Sequence, residues 1–265
     1  MNQLDQRDTY VRKKMGIKNT KLSKQETKNI INILQDGNLK LSGQAIRGSN
    51  STFLCDVTLE NQTIQAIYKP TKGERPLWDF PHQTLAQREV AAFIVSEILG
   101  WDLVPPTVLR TKPSVFGKGS LQFFINHNPT LHYMNAEELD HFTMMRVVIF
   151  DLVVNNADRK SGHVLFDHHQ KVWLIDHGLC FNEEKKLKTV IWDYAGQTIP
   201  NEIKKDLQYF ISGLELKKLQ LVRKLQMLIT EREFFTIIQR SKEVLSMDSF
   251  PYPEPNRRSY PWPPI

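Results

Sequence analysis

Residues 151–181 read DLVVNNADRKSGHVLFDHHQKVWLIDHGLCF, the densest polar cluster set within apolar sequence in this chain. An apolar run, Val147-Val148-Ile149-Phe150, leads into it, and Asp151 interrupts that run. The pattern predicts a long helix that is opened by a capping box at Asn135-Ala136-Glu137-Glu138 and ends near Asn155. Val164–Phe166 and Lys171–Ile175 then flank the turn residues Asp167-His168-His169-Gln170 and predict a β-hairpin. A hairpin brings its open ends together: His163 precedes the first strand and Asp176 follows the second. Asp158, five residues before His163, can lie close to both. Two carboxylates and an imidazole then converge where a loop meets a sheet, which suits a metal–phosphate site. Taken alone, Asp158 reads equally as a turn cap paired with Arg159, and Asp176 equally as a strand end.

The sequence before this stretch is of a different kind. Leu39–Ile46, Thr52–Leu59 and Thr63–Lys69 are strand-like runs joined by Gly48-Ser49-Asn50-Ser51 and Glu60-Asn61-Gln62. Links this short predict an antiparallel meander. Ahead of them, Ser23-Lys24-Gln25-Glu26 has the form of a capping box for a helix over 24–35 that ends before Gly37. A further helix is expected over Thr84–Leu99, stopping at Gly100, and Pro106–Leu109 and Ser120–Ile125 carry more strand character. Beyond residue 130 the pattern is mostly helical, with helices expected over 201–211, 214–228 and 231–245, the last opened by Thr230-Glu231-Arg232-Glu233. Strands first and helices second imply an α+β chain with a small antiparallel-sheet lobe and a larger, mainly helical lobe. The expected divisions are an N-terminal extension with one helix (1–38), a small nucleotide-binding lobe (39–125), a helical catalytic lobe (126–250) and a Pro-rich tail (251–265). Six prolines keep that tail extended.

Three features of the first half bear on function. A small-residue turn such as Gly48–Ser51, set between antiparallel strands, lets backbone N–H groups approach phosphate oxygens, although ordinary hairpin turns look the same. Lys69 ends the run Ala66-Ile67-Tyr68-Lys69-Pro70, whose apolar setting aims a cation inward unless the residue is a solvated strand end. Glu89 has Leu85 at i−4 and Phe93 at i+4, so its carboxylate falls on an apolar face where it needs a partner. Lys69 is the evident one.

Small-residue turn, strand lysine, helix glutamate, loop aspartate and strand-end Asp-x-Gly follow one another in the order of parts found in protein-kinase-like phosphotransferases. Asp151–Leu165 resembles the catalytic segment of the type II phosphatidylinositol 4-kinases, in which a helix leads into Asn-x-Asp-Arg and a short loop. Ile175–Phe181 resembles their Ile-Asp-x-Gly-Leu-x-Phe metal segment. HipA-type bacterial kinases share the plan. The chain as a whole resembles a bacterial family distantly related to the phosphatidylinositol 3- and 4-kinases, including its Pro-Trp-Pro-Pro ending at 261–264. The resemblance spans about residues 40–245 and implies a two-lobed protein-kinase-like fold that uses ATP with Mg²⁺ or Mn²⁺. It implies that Asp158 orients or deprotonates an acceptor hydroxyl and that Asp176 binds the Mg²⁺ bridging the phosphates. Lys69 would hold the α- and β-phosphates, steadied by Glu89, and Gly48, Ser49, Asn50 and Ser51 would cover the phosphates. Ser120–Ile125, with Gln122 and Phe124, would form the hinge against adenine. Those lipid kinases place asparagine, a metal ligand, five residues after the catalytic aspartate. Here the position is His163, which either binds Mn²⁺, contacts a phosphate, or leaves a second metal missing.

Transfer of the γ-phosphate to a hydroxyl is therefore the expected activity, and the acceptor (a protein, a metabolite or an inositol lipid) is not named by the sequence. A nucleotide-binding pseudokinase with a regulatory role and an AMP transferase on the same fold are the competing expectations. A net charge of +6 permits contact with nucleic acid, anionic lipid or nucleotide without choosing among them. The clusters Arg12-Lys13-Lys14, Lys185-Lys186-Lys188 and Lys217-Lys218 read as solvated surface, so no dedicated nucleic-acid site is expected. No stretch reaches the roughly 18–20 uncharged apolar residues that span a bilayer. Cys55 and Cys180 have no partner spacing, which points to a reducing, cytoplasmic location. Phe116-Gly117-Lys118-Gly119-Ser120 lacks the spacing of a Walker P-loop. His163, His168, His169 and His177 invite a zinc reading, but two of them occupy a turn and no cysteine is near. The tail is expected to pack back onto its own lobe rather than serve as a ligand for a partner domain.

Overall fold

A computed structural model describes residues 22–43, 51–112, 116–216 and 219–265 of the chain. The first helix, α1 (Lys24–Asp36), opens on the capping box read from the sequence: Ser23 Oγ accepts from the Glu26 N–H, and the Glu26 carboxylate accepts from the Ser23 N–H. Its apolar face, Ile30, Ile33 and Leu34, covers a five-stranded antiparallel sheet of order β1-β2-β3-β5-β4. The strands are β1 (Asn38–Leu41), β2 (Phe53–Leu59), β3 (Gln62–Pro70), β4 (Thr107–Arg110) and β5 (Gly119–Phe123). The first three form the expected meander, while the far end of the first expected strand, toward Ile46, falls outside the described residues. Alternation along β3 turns Ile64, Ala66 and Tyr68 toward α1 and leaves Ile67 and Lys69 on the opposite face.

Helix α2 (Leu85–Leu99) joins the sheet to the rest of the molecule. It is buried nearly all round and ends at Gly100, whose φ of 68° is the left-handed conformation that glycine adopts without penalty. Its apolar residues Val90 to Val95 belong to the larger of two cores, shared with α3 (His141–Val154), α4 (Asn201–Leu216), α5 (Gln220–Gln226) and α6 (Glu231–Ser246). Between α3 and α4 lies the hairpin of β6 (Val164–Phe166) and β7 (Val172–Leu174), with Val164 paired to Leu174.

Several helix boundaries differ from expectation, the helix expected over 214–228 being confined to Gln220–Gln226. The long helix starts at His141, not at Asn135: Asp140 Oδ1 caps it by accepting from the N–H groups of Phe142 and Thr143 at 3.1 and 3.2 Å. Asn135 instead closes a local turn, accepting from the His132 N–H and donating to the Thr130 carbonyl. Helix α4 runs through Gly213 to Leu216, past the expected end at 211, because Ile203, Leu207, Phe210, Ile211 and Leu214 keep one face in the core. That packing outweighs the roughly 1 kcal/mol helix penalty of a single glycine. The tail packs back: Ser259 O accepts from the Thr189 N–H at 3.0 Å, and Pro264 O accepts from the Ser161 N–H at 2.8 Å. Among the described residues no helix is long and apolar enough to cross a membrane.

Candidate active site

Between the sheet and the helical body lies a cleft of about 590 Å³, and every described candidate residue lines it: Ser51, Lys69, Glu89, Gln122, Phe124, Asp158, His163 and Asp176. Gly48, Ser49 and Asn50 lie outside the described residues. Lys69 reaches the cleft from the end of β3. Its Nζ is ion-paired with Glu89 Oε1 and lies 2.9 Å from Asp176 Oδ1. The Glu89 side chain is only 4% exposed, and its Oε2 accepts from the His177 backbone N–H at 2.9 Å. Burial opposes the charge on Lys69, but Asp176 and Glu89 outweigh it and raise its pKa above the ordinary lysine value.

Asp176 follows β7 with φ of 62°, a left-handed conformation that non-glycine residues seldom hold outside turns and functional sites. Its side chain stays 49% exposed, and the ammonium of Lys69 keeps its carboxyl far below the usual carboxylate range. His163 Nε2 faces Asp176 Oδ2 at 3.2 Å. The shorter of the two His163 Nδ1 contacts, 3.0 Å, is to the Asp158 carbonyl oxygen; the other, to the Lys160 N–H, is 3.4 Å. With the proton on Nδ1 the ring donates to the Asp158 carbonyl and leaves the Nε2 lone pair for a cation beside Asp176; with it on Nε2 the ring donates to Asp176 Oδ2 and Nδ1 accepts from the Lys160 N–H. Burial pushes the His163 pKa down to about 4, opposed by Asp176, so the ring is neutral at pH 7. Asp158 sits beyond it with its carboxylate 3.5 Å from Lys160 Nζ. Burial pushes the Asp158 pKa up to about 6, with Lys160 pulling the other way.

The pairing of Asp158 with Arg159, one reading of the sequence, does not occur. Arg159 is fully buried and pairs with Asp151, Nε lying 2.9 Å from Oδ2. A buried guanidinium needs a buried carboxylate, which the last turns of α3 supply, and Asp158 is left facing the cleft. Arg159 also donates to the carbonyls of His163 and Ile175, and its NH2 lies 2.9 Å from His177 Nε2. Burial and the Arg159 charge hold that imidazole neutral, so it accepts the bond. Asn156 completes the knot, donating to Asp151 Oδ1 at 3.0 Å and accepting from the Asp158 N–H at 3.0 Å. Asp151, Asn156, Arg159 and His177 therefore fix the loops that carry Asp158, His163 and Asp176. Sequence reasoning missed them as a group, and the available signal was Asp151 interrupting the apolar run that begins at Val147. Arg88 was missed too: on the all-round buried α2 it donates to the Cys180 carbonyl at 2.7 Å and pairs with Glu233 at 2.5 Å.

Known proteins resemble this chain in fold and in sequence. The golgi casein kinase structure with Mn and ADP bound superposes with a TM-score of 0.53 at 14% identity, covering 85% of this chain and 76% of that one. That likeness gives the fold: protein-kinase-like, α+β. Protein Rv2133c of Mycobacterium tuberculosis is 35% identical over 266 residues, covering 87% of this chain and 94% of that protein. Phosphatidylinositol 4-kinase gamma 4 of Oryza sativa subsp. japonica is 32% identical over 130 residues, which are 42% of this chain but 23% of the plant protein. The family described as phosphatidylinositol 3- and 4-kinase matches residues 84–237, from the turn before α2 into α6. More than half of the sequence is thereby accounted for, and the chain belongs to the phosphatidylinositol 3- and 4-kinase family.

Proposed function

We propose that this protein is an ATP- and divalent-metal-dependent phosphotransferase that passes the γ-phosphate to a hydroxyl of an acceptor. The observation that carries this reading is the meeting of Lys69, Glu89 and Asp176 in one cleft that Asp158 also lines. Lys69 is then the cation for the α- and β-phosphates, and Glu89 holds it in place. Ser51 covers the phosphates, and Gln122 and Phe124 line the base end. Asp158 orients the acceptor hydroxyl and takes its proton, for which a carboxylate with a pKa raised to about 6 is well matched.

The donor set suits a divalent ion. In the tautomer with its proton on Nδ1, neutral His163 would offer its Nε2 lone pair beside Asp176 Oδ2, 3.2 Å away, as a pair of donors to a shared cation. No cluster of three His, Cys, Asp or Glu ligands exists among the described residues, so a metal here would fill its shell with phosphate oxygens and water, as nucleotide-bound Mg²⁺ does. When bound, it would neutralise charge on the phosphates.

The imidazole at 163 also favours a second reading, a nucleotide-binding protein with little or no transfer, because a nitrogen donor matches Mg²⁺ poorly. ATP labelled at the γ or the α position separates the cases. Label leaving only the γ position supports phosphotransfer, transfer of the α label supports AMP transfer, and binding without either supports the pseudokinase. Asp176→Ala should abolish the metal-dependent part of nucleotide affinity; unchanged Mg·ATP affinity would remove Asp176 as the ligand. His163→Asn should raise turnover in Mg²⁺ relative to Mn²⁺ if the ring coordinates directly.

A further inference from the structure

We infer that Gln122, its amide orientation set by Thr107, selects a nucleotide base with an exocyclic amine at the inner end of the cleft, adenine over guanine or hypoxanthine. This rests on the nucleotide-binding reading above and assigns its base specificity to one side-chain oxygen.

The placement follows from register. Gln122 on β5 is paired with Ile67 on β3 and with Thr107 on β4, so all three side chains share one face of the sheet. Lys69 lies two residues along β3 from Ile67, on that same face and roughly 7 Å away. The neighbouring β5 residues Leu121 and Phe123 turn the other way, into the core under α1. Gln122 therefore lines the cleft on the same wall as the phosphate-end lysine, one alternation step further in. Around it Ile67, Phe124, Leu165 and Ile175 make an apolar slot suited to a flat ring.

The orientation follows from counting protons. The Thr107 hydroxyl donates to the Pro105 carbonyl at 2.7 Å. A hydroxyl has one proton, and a carbonyl can only accept, so Thr107 is left to meet Gln122 as an acceptor. The partner at 2.9 Å is accordingly Gln122 Nε2. Gln122 Oε1 is then turned away from Thr107, and it accepts no hydrogen bond from the described residues. It is the one strong acceptor that this buried side chain offers to a ligand. An adenine C6 amine would satisfy it, whereas the C6 oxygen of guanine or hypoxanthine would set two acceptors against each other. Turning the amide over to suit such a base would strip Pro105 of its donor, so Thr107 acts as a positioning residue for the selectivity.

Calorimetric binding of ATP, ITP and GTP to the intact protein in Mg²⁺ tests this without requiring turnover. The native protein should prefer ATP over ITP by roughly tenfold or more, the worth of one satisfied hydrogen bond against one frustrated acceptor. Gln122→Met should lose the preference from both sides, weakening ATP and relieving ITP of the opposed acceptor. Thr107→Val should lose it by strengthening ITP alone, as the amide becomes free to turn; Thr107→Ser should retain the native ratio. Equal affinity of the native protein for ATP and ITP overturns the inference even if neither variant folds, and leaves the phosphotransferase reading standing. Preference surviving in Gln122→Met also overturns it. Failure to bind any of the three nucleotides overturns both.

Discussion

At the scale of single residues, the site turns on which carboxylates are buried with a partner and which are kept for the cleft. Asp151 is neutralised by Arg159, and Glu89 is shared between Lys69 and the His177 N–H, which leaves Asp158 with only the looser Lys160 contact. Asp158→Asn should therefore lower turnover by roughly 10² to 10⁴ with little change in ATP affinity; unchanged turnover would remove Asp158 from the mechanism. A base must be ionised to accept a proton, so kcat/KM should fall as pH drops through about 6. Lys160 lowers this pKa, so Lys160→Met should move the acid limb to higher pH; a profile that stays in place would show that another group titrates. Lys69→Ala should weaken ATP binding and also destabilise the fold, because Glu89 would remain buried without its cation. Replacing both Lys69 and Glu89 with apolar residues should restore the stability without the binding, and a double variant no more stable than Lys69→Ala would refute the pairing energetics. The Lys69–Glu89 pair was legible because a carboxylate between Leu85 and Phe93 demands a nearby cation. The Arg159–Asp151 pair was not, because adjacent Asp158 offered a cheaper local partner and only the folded loop shows that its side chain diverges.

At the scale of elements, local chemistry announced some boundaries and tertiary packing decided others. The capping boxes at Ser23 and Thr230 are formed as read, since both ends of the motif lie within four residues and need nothing from elsewhere. At Asn135 the same kind of signal was misleading, because the asparagine found partners at Thr130 and His132 and the helix waited for Asp140. Helix α2 shows what neither kind of reading supplied. Two consecutive residues bind it to the segment after β7 from both sides: Glu89 accepts from the His177 N–H and Arg88 donates to the Cys180 carbonyl. Arg88 is held in turn by Glu233, whose other oxygen caps α6 by accepting from the Thr230 N–H. The sequence showed Glu233 as a cap, and only the packing of α2 into the larger core reveals its second partner. Glu233→Gln preserves the cap and removes the charge, so it isolates the ion pair. It should cost roughly 3–5 kcal/mol in denaturant unfolding, and Arg88→Met in the same chain should recover much of that loss. If the two substitutions prove additive, the pair contributes nothing specific and α2 is held by apolar packing alone.

At the scale of the whole molecule, the cleft is the seam between two cores, and the family's most recognisable residues sit along it. The sheet and α1 share one core, while α2 shares the other with the helical body, so the Lys69–Glu89 pair joins β3 to an element packed mainly with the opposite side. The order of strands and helices was enough to anticipate this division into small sheet and larger helical body. The path of the final segment was not legible, because proline fixes its extended shape but says nothing about what it lies against. In the folded chain it runs back along residues 185–198 and finishes on the loop that carries Asp158. Arg257 donates to the Lys185 carbonyl, Ser259 O accepts from the Thr189 N–H and from Trp192 Nε1, and Pro264 O accepts from the Ser161 N–H. Ser161 is three residues from Asp158 and fully buried, and its Oγ in turn accepts from the Met134 N–H. The strap thus bears on the loop that presents Asp158, while none of its residues lines the cleft. Ending the chain after Arg258 would remove the partners of the Thr189 and Ser161 N–H groups and of the Trp192 indole. Each is worth about 1 kcal/mol, so unfolding should be easier by roughly 2–3 kcal/mol. Turnover should fall by more than ATP affinity does, since the loop loosens at its acceptor side and the β3 wall of the cleft is untouched. A shortened chain with native stability and native turnover would show that the strap is merely laid on the surface; one that loses ATP affinity as steeply as turnover would show that it holds the two cores together instead.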